Sequence, residues 1–293
     1  MAYDFTPVIH FLEHVFQRFR TEHPKPGKAY TYSDGGMLVF LMIMFLKRIF
    51  AFKSMARYAA VHYARFGFET APSRQTIRRR LSALPIVLQR VIPLVADEAV
   101  PLDPRFATEG LGFIDKCLFG AKGGVWHTKQ MNAGIVPLST IDTEATWGYP
   151  PSRHRWVFGD GLHAIVNRAR FPLAALVTTA STKDAPPVST LLSSLPHALL
   201  LLIGEMGSRV ITMITAIFQD VQTFVLTRTP YKRLTDTFTT WYSRRIASEE
   251  ATTIYWQRKS SVEPCFSLIK ELLALTDRQP LPYKGLQKNH SFL

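Results

Sequence analysis

Three carboxylates stand out by their placement. Asp115 closes the apolar, β-like stretch Leu111-Gly-Phe-Ile-Asp115, and Glu205 follows the unbroken apolar run His197 to Ile203 and a glycine. Glu263 opens a late amphipathic stretch, with Pro264 expected in the first helical turn. Acids at the carboxyl ends of strands lie at the edge where open α/β sheets bind ligands. Carboxylates gathered at one point repel one another, so a cluster calls for cations, and hard oxygen ligands with open positions suit Mg2+ or Mn2+. Two such ions about 3.5–4 Å apart can activate a water or a hydroxyl and stabilise the departing oxygen of an in-line phosphodiester attack. Taken singly, acids at strand ends are more often solvated or paired with an arginine. Asp142, Asp184 and Asp220 are rival acids, read as solvated or capping residues.

The elements that must position these acids follow from periodicity. Up to about Ala99 apolar residues return every three or four positions, as in Phe11, Val15 and Phe19, and breakers cluster at Pro24 to Gly27 and at Gly35-Gly36. Residues 1–100 therefore read as an all-helical region, and Pro101 to Arg105 as a linker. Beyond it the pattern becomes β-like over Leu111 to Asp115, Arg155 to Val166 and Pro172 to Thr179, with Gly159, Gly161 and Pro172 as interruptions. A helix is expected over Asp184 to Leu195, then a buried strand over His197 to Ile203. Ser208 to Phe218 reads as helix, Val221 to Thr227 as strand, and Val262 to Leu275 as a helix with Phe266, Ile269 and Leu273 on one stripe. This order predicts an α/β domain over 101–293 with a mixed central sheet.

Charge narrows the partner. The 293 residues carry 35 Lys+Arg against 22 Asp+Glu, a formal net charge of +13. Residues 1–100 hold 14 basic and 7 acidic residues, 101–200 hold 9 and 7, and 201–293 hold 12 and 8, so the basic surplus lies at the two ends. A 47% apolar content excludes a disordered polycation. The longest apolar run, Met37 to Leu46, is about half of what a spanning helix needs. The start of the chain shows no secretory pattern, and Cys117 and Cys265 are too few for a disulfide framework or a four-cysteine zinc site. A cytoplasmic, nucleoid-associated protein with nucleic acid as its partner is expected, with no membrane association.

A helix-turn-helix-like pair supplies one route to that partner. A helix over roughly Ser54 to Arg65 is followed by Ser73, placed to cap a second helix beginning Arg74-Gln-Thr-Ile-Arg78-Arg79-Arg80-Leu81. At 100° per residue Ile77 and Leu81 share a buried face, Arg79 lies opposite, and Arg78 and Arg80 flank it. Such a cationic helix can sit on phosphates or in a major groove, although three arginines also suit a solvated face.

The motifs taken together resemble the DDE transposases of bacterial insertion sequences, whose catalytic core is ribonuclease-H-like. The blocks that carry the resemblance are Phe113-Ile-Asp-Lys-Cys-Leu-Phe-Gly through Trp126-His127, Ile141-Asp-Thr-Glu-Ala-Thr-Trp147, Trp156-Val-Phe-Gly-Asp-Gly-Leu-His163, Val177 to Asp184, and Ser261-Val-Glu-Pro-Cys-Phe-Ser-Leu-Ile-Lys270 with Lys284-Gly-Leu-Gln287. The resemblance implies an Mg2+- or Mn2+-dependent enzyme that cuts DNA at an element's ends and joins the freed 3′-hydroxyl to target DNA. It makes Asp115, Glu205 and Glu263 the metal-bearing catalytic acids, and two ends held together imply at least a homodimer. Lys270, two helical turns after Glu263, would contact DNA near the scissile phosphate, and Arg258 or Lys259 would bind a terminal phosphate. With Arg74, Arg78, Arg79 and Arg80 these form the expected DNA-binding set. Departures are informative: the family's second acid is Asp, where Glu205 adds a methylene; Asp160 stands where a basic or aromatic residue is usual; and the family continues into another apolar helix where this chain stops at Leu293. The alternative is a diverged or truncated relative that binds DNA without cutting it. Trp126-His127 could stack on a base or pack in the core, and His163, Cys117 and Cys265 read as structural.

Overall fold

The computed structural model describes residues 4–22, 31–107, 110–135, 140–149, 155–183, 185–197, 199, 201–204, 222–225, 249–275 and 280–293. Four helices come first: α1 (Thr6–Glu22), α2 (Asp34–Leu46), α3 (Phe52–His62) and α4 (Arg74–Ala99). Ser33 caps α2 by accepting from the Gly36 N–H, and Ser73 caps α4 by accepting from Thr76 N–H at 3.1 Å, the cap expected from sequence. The helix that Ser73 starts runs far beyond Leu81, through Pro85 and Pro93. Each proline removes one backbone donor, and the buried residues Leu84, Leu88, Val91 and Leu94 hold the helix together across those gaps.

The sheet follows: β1 (Leu111–Gly120), then α5 (Thr128–Asn132), β2 (Thr146–Gly148), β3 (Val157–Val166), β4 (Pro172–Thr179), α6 (Ala185–Ser194), β5 (Leu201–Gly204) and β6 (Gln222–Val225). The strand order is β4-β3-β1-β5-β6, and β2 shares the outer edge of β3 with β4. β1, β3 and β4 form an antiparallel meander, whereas β5 and β6 run parallel to β1 and to each other. This is the mixed α/β, ribonuclease-H-like arrangement, as expected.

Alternation assigns the two faces of β1. Phe113, Cys117 and Phe119 join Val262, Cys265 and Phe266 of the long helix α7 (Glu249–Leu272), in a core that continues into the N-terminal helices. Ile114 faces the other way with Ile165, Leu202 and the α6 residues Val188, Leu191 and Leu192. Gly159 and Gly161, expected to interrupt β3, lie within it because the neighbouring strand approaches too closely for a side chain. A Cβ on Gly159 would stand 1.9 Å from the Phe119 carbonyl oxygen, and one on Gly161 would meet the Lys116 side chain at 2.5 Å. Lys116 uses that space to cross the strand and donate to the Ala180 carbonyl at 2.9 Å and to that of Thr182.

Other expectations need correction. Pro264 lies inside α7 rather than in its first turn, because the helix begins at Glu249. The strand expected from His197 begins at Leu201; Pro196 and His197 precede it in a bend, with the imidazole 3.0 Å from an Asp97 oxygen. The helix expected over residues 208–218 lies outside the described residues, as do Asp184 and Asp220. A short last helix, α8 (Leu286–Phe292), was not foreseen. Asp142 and Glu144 hold its start, accepting from the Gly285 and Leu286 N–H groups at 2.8 Å each, so Asp142 is a capping residue, one of its two expected roles. Ser291 donates to the Leu81 carbonyl, and Phe292 packs edge-on against Phe45 and Phe50, with ring centroids 4.9 and 5.6 Å apart.

Two acids, one partly buried and one fully buried, allow direct tests. Asp34 pairs with both Arg20 and Arg80, and Arg80 is only 6% exposed. Arg80→Ala strands part of a buried pair and is expected to cost about 3 kcal/mol in urea unfolding, whereas Arg79→Ala, at an exposed site, stays within about 0.5 kcal/mol of the parent. Asp160, 1% exposed, accepts from the Asn289 amide of α8 at 2.8 Å. Burial, reinforced by the charges of Asp142 and Glu144 and opposed by the Asn289 bond, pushes its carboxyl up to about 6. The folded chain therefore holds this proton more tightly than the unfolded chain, so Asp160 lowers stability as pH rises from the ordinary carboxylate range through 6, and the penalty is complete above it. Asp160→Asn is expected to stabilise the protein at about pH 7.5 by on the order of 2–3 kcal/mol and by little near about pH 4, read by urea unfolding at both values.

Candidate functional site around Asp115

Asp115 belongs to the face of β1 that α7 covers. Its side chain is 23% exposed and sits in register with Ala164 of β3, at the middle of the sheet. One carboxylate oxygen accepts from the N–H of Lys116 at 2.8 Å. The other accepts from the Arg258 Nη1 of α7, also at 2.8 Å. Arg258 is 2% exposed, so the pair places a full positive charge between helix and sheet. An arginine stays ionised under such conditions, and a buried guanidinium is tolerable only against an anion.

The helical repeat explains why Arg258 is the residue delivered. Arg258, Val262, Cys265 and Ile269 recur at three- and four-residue spacing and form the stripe that meets the sheet. Glu263 is five residues after Arg258, roughly 140° around the helix, and it is exposed. Lys270 approaches the other end of β1, its ammonium 5.9 Å from the centre of the Phe119 ring. Lys259 lies outside, 4.9 Å from the ring centre of Trp256, itself 54% exposed. The remaining expected acid, Glu205, lies outside the described residues; β5 ends at Gly204, which pairs with Ile114, the neighbour of Asp115.

The structure thus joins Asp115 to Arg258 and leaves Glu263 facing solvent. Among the described residues no three His, Cys, Asp or Glu side chains converge in a way that would hold a metal ion. A hard divalent cation needs several oxygen ligands around one open point. In this conformation the described residues do not fit one at Asp115, because its carboxylate is held against the Arg258 guanidinium and no group of three ligating side chains forms around it. An arginine partner is a general expectation for an isolated acid at a strand, and nothing near Asp115 in the sequence names Arg258. The signal for Arg258 was its place on the apolar stripe of α7, where a charge must find a partner.

The other candidates separate clearly. Arg74, Arg78 and Arg79 are exposed along the first turns of α4, while Arg80 is turned inward to Asp34. His163 lies on the opposite face of the sheet from Asp115, bonded to the Thr178 hydroxyl at 2.9 Å. Burial, with a smaller contribution from Lys116, pushes its imidazole down to about 3, so it is neutral and structural at ordinary pH. Trp126 packs with Ala121, Ala145 and Phe158, and its carbonyl accepts from the Trp147 indole at 3.0 Å. Cys117 and Cys265 are buried cysteines outside any disulfide, and burial pushes the Cys265 thiol up to about 11. Among the described residues no helix is long and apolar enough to cross a membrane.

No protein-family model matches the chain, and no curated protein matches it. Solved structures give loose matches over most of the length. The Mos1 transposase paired-end complex with the left transposon end is 9% identical, covering 88% of this chain and 84% of that one, at a TM-score of 0.23. The Mos1 strand transfer complex is 13% identical over 91% and 86%, also at 0.23. The Mos1 mariner paired-end complex with Mn is 13% identical over 89% and 86%, at 0.21. Backbones superposed this loosely give no residue-by-residue correspondence.

Proposed function

We propose that this protein is a DDE-type transposase, which holds DNA through its basic surfaces and breaks and rejoins phosphodiesters at a site built on Asp115. The observation that supports this reading is the position of Asp115: it stands on the central strand of a ribonuclease-H-like sheet, beside the end of β5 and under α7. Glu205 and Glu263 complete the proposed acid set, and Mg2+ or Mn2+ is the proposed cofactor. Arg74, Arg78, Arg79, Lys259 and Lys270 are the proposed phosphate contacts, and a homodimer is the proposed assembly on two DNA ends. A second reading has its own support: the Asp115–Arg258 pair neutralises the central acid, as expected of a protein that binds DNA without cutting it.

Two measurements divide these readings. A supercoiled plasmid carrying the DNA that flanks the protein's own reading frame is expected to be nicked in Mg2+ or Mn2+ by the parent and not by Asp115→Ala. Binding without nicking, unchanged by that substitution, overturns the enzyme reading. Replacing Arg74, Arg78 and Arg79 together by Ala is expected to weaken duplex binding about 10–100-fold at moderate salt and to flatten the salt dependence by about three counterions. An unchanged salt slope removes α4 from the DNA-contacting surface.

A further inference from the structure

We infer that the corner where α2 turns into α3 is a second phosphate-binding surface for duplex DNA, formed by Lys47, Arg48, Lys53 and Arg57 and separate from the arginines of α4. This surface rests on the reading of DNA as the partner and adds contacts that the reading does not name. Residues 35–96 carry ten Lys/Arg and a single acid, Glu69. Arg80 turns inward to Asp34, whereas all four cations of the corner are exposed. Among the described residues no carboxylate pairs with any of the four.

Lys47 and Arg48 suit the C-terminal end of α2, where cations complement the helix dipole, but the rest of the placement works against the fold. Lys53 stands in the first turn of α3, which favours anions and here holds no acid. Arg57 follows it by four residues, so two like charges share one helix face. Arg48 has φ 58° and donates its N–H to the Phe45 carbonyl at 2.8 Å, a left-handed position that glycine adopts without strain. Lys47 reaches over the Tyr58 ring, 5.8 Å from its centre, which sets its ammonium beside the α3 row. Like charges gathered in this way repel one another, and a phosphate backbone, which presents anions in a row, relieves that repulsion. The corner is fixed in place: the Phe50 carbonyl accepts from the Tyr283 hydroxyl at 3.1 Å, and Phe52 stacks on the Tyr283 ring with centroids 5.7 Å apart. A surface held so firmly meets phosphates with little ordering of the main chain. α3 packs on α4 through a core that includes Met55, Ala59, Ile77 and Leu81, so both cationic rows belong to one helix pair. DNA-binding helix pairs lay one helix across the backbone and the other in a groove, which favours duplex DNA as the occupant.

The test reads binding without divalent metal, so cleavage does not enter it. A fluorescein-labelled duplex of arbitrary sequence is titrated with the full chain in EDTA at several NaCl concentrations and followed by anisotropy. The variant combining Arg48→Gly, Lys53→Gln and Arg57→Gln is expected to bind about 10–100-fold more weakly at moderate salt and to release about three fewer counterions. Its urea-unfolding midpoint is expected to equal or exceed the parent's, because glycine fits the left-handed position and the like-charge pair is gone. The charge-retaining variant Lys53→Arg with Arg57→Lys is expected to bind as the parent does. Unchanged affinity and salt slope in the neutral variant, or an equal loss in the charge-retaining one, overturns the inference. So does a parent that fails to bind the duplex, or a neutral variant that keeps duplex affinity and loses binding to vesicles containing phosphatidylserine. Weakened duplex binding beside a parent that nicks no plasmid leaves this surface standing and removes the enzyme reading; plasmid nicking beside unchanged duplex binding does the reverse.

Discussion

Much of this architecture depends on where a buried positive charge is placed. Arg258 sits on the apolar stripe of α7, among residues that belong to the core, and the Asp115 carboxylate of the sheet meets it. Without Asp115 the guanidinium would lose a carboxylate partner in a medium that solvates it poorly; without Arg258 the acid would lose a cation on the side where Val262, Cys265 and Phe266 pack. The pair therefore fixes how α7 lies across β1, and with it which residues of the helix face outward. Glu263, Lys259 and Trp256 are exposed because the same helix turns Arg258 inward.

Much of the fold was legible from residue patterns alone. The β3 and β4 segments are dense in branched and apolar residues, and sequence placed them within two residues of their observed limits. Ser73 declared the start of α4 because a hydroxyl before an amphipathic run satisfies backbone donors at little conformational cost. The length of α4 was hidden by Pro85 and Pro93, whose local cost is overridden by packing against the rest of the bundle. The last helix was hidden for the opposite reason. Leu-Gln-Lys-Asn-His-Ser-Phe has neither length nor a strong apolar stripe, and its supports, Asp142, Glu144 and Asp160, come from distant parts of the chain.

The candidate site divides in the same way. The β-like stretch read from sequence ends on Asp115, whereas β1 runs on to Gly120 and carries the acid at its middle; membership of the strand was legible because alternation is a local property, and the strand's end was not. The identity of its partner was not legible either, because Arg258 is separated from it by 143 residues and only the packing of α7 brings them together. Arg80 shows the same limit. A helical wheel placed it at the flank of a cationic face, yet Asp34, on another helix, draws it inward. Periodicity says which residues share a face. Where a flanking charge ends up depends on the neighbouring element.

The union of Phe45 and Phe50 with Tyr283 and Phe292 has a consequence for how the chain acquires its structure. The helices made first reach their final packing only when residues near 283–292 return to them, after the whole sheet has been synthesised. Contacts so remote in sequence carry a large loop-closure cost and place this cluster late in assembly. On the ribosome the early helices must wait with apolar side chains uncovered, which makes this interval the one in which a chaperone has most to protect.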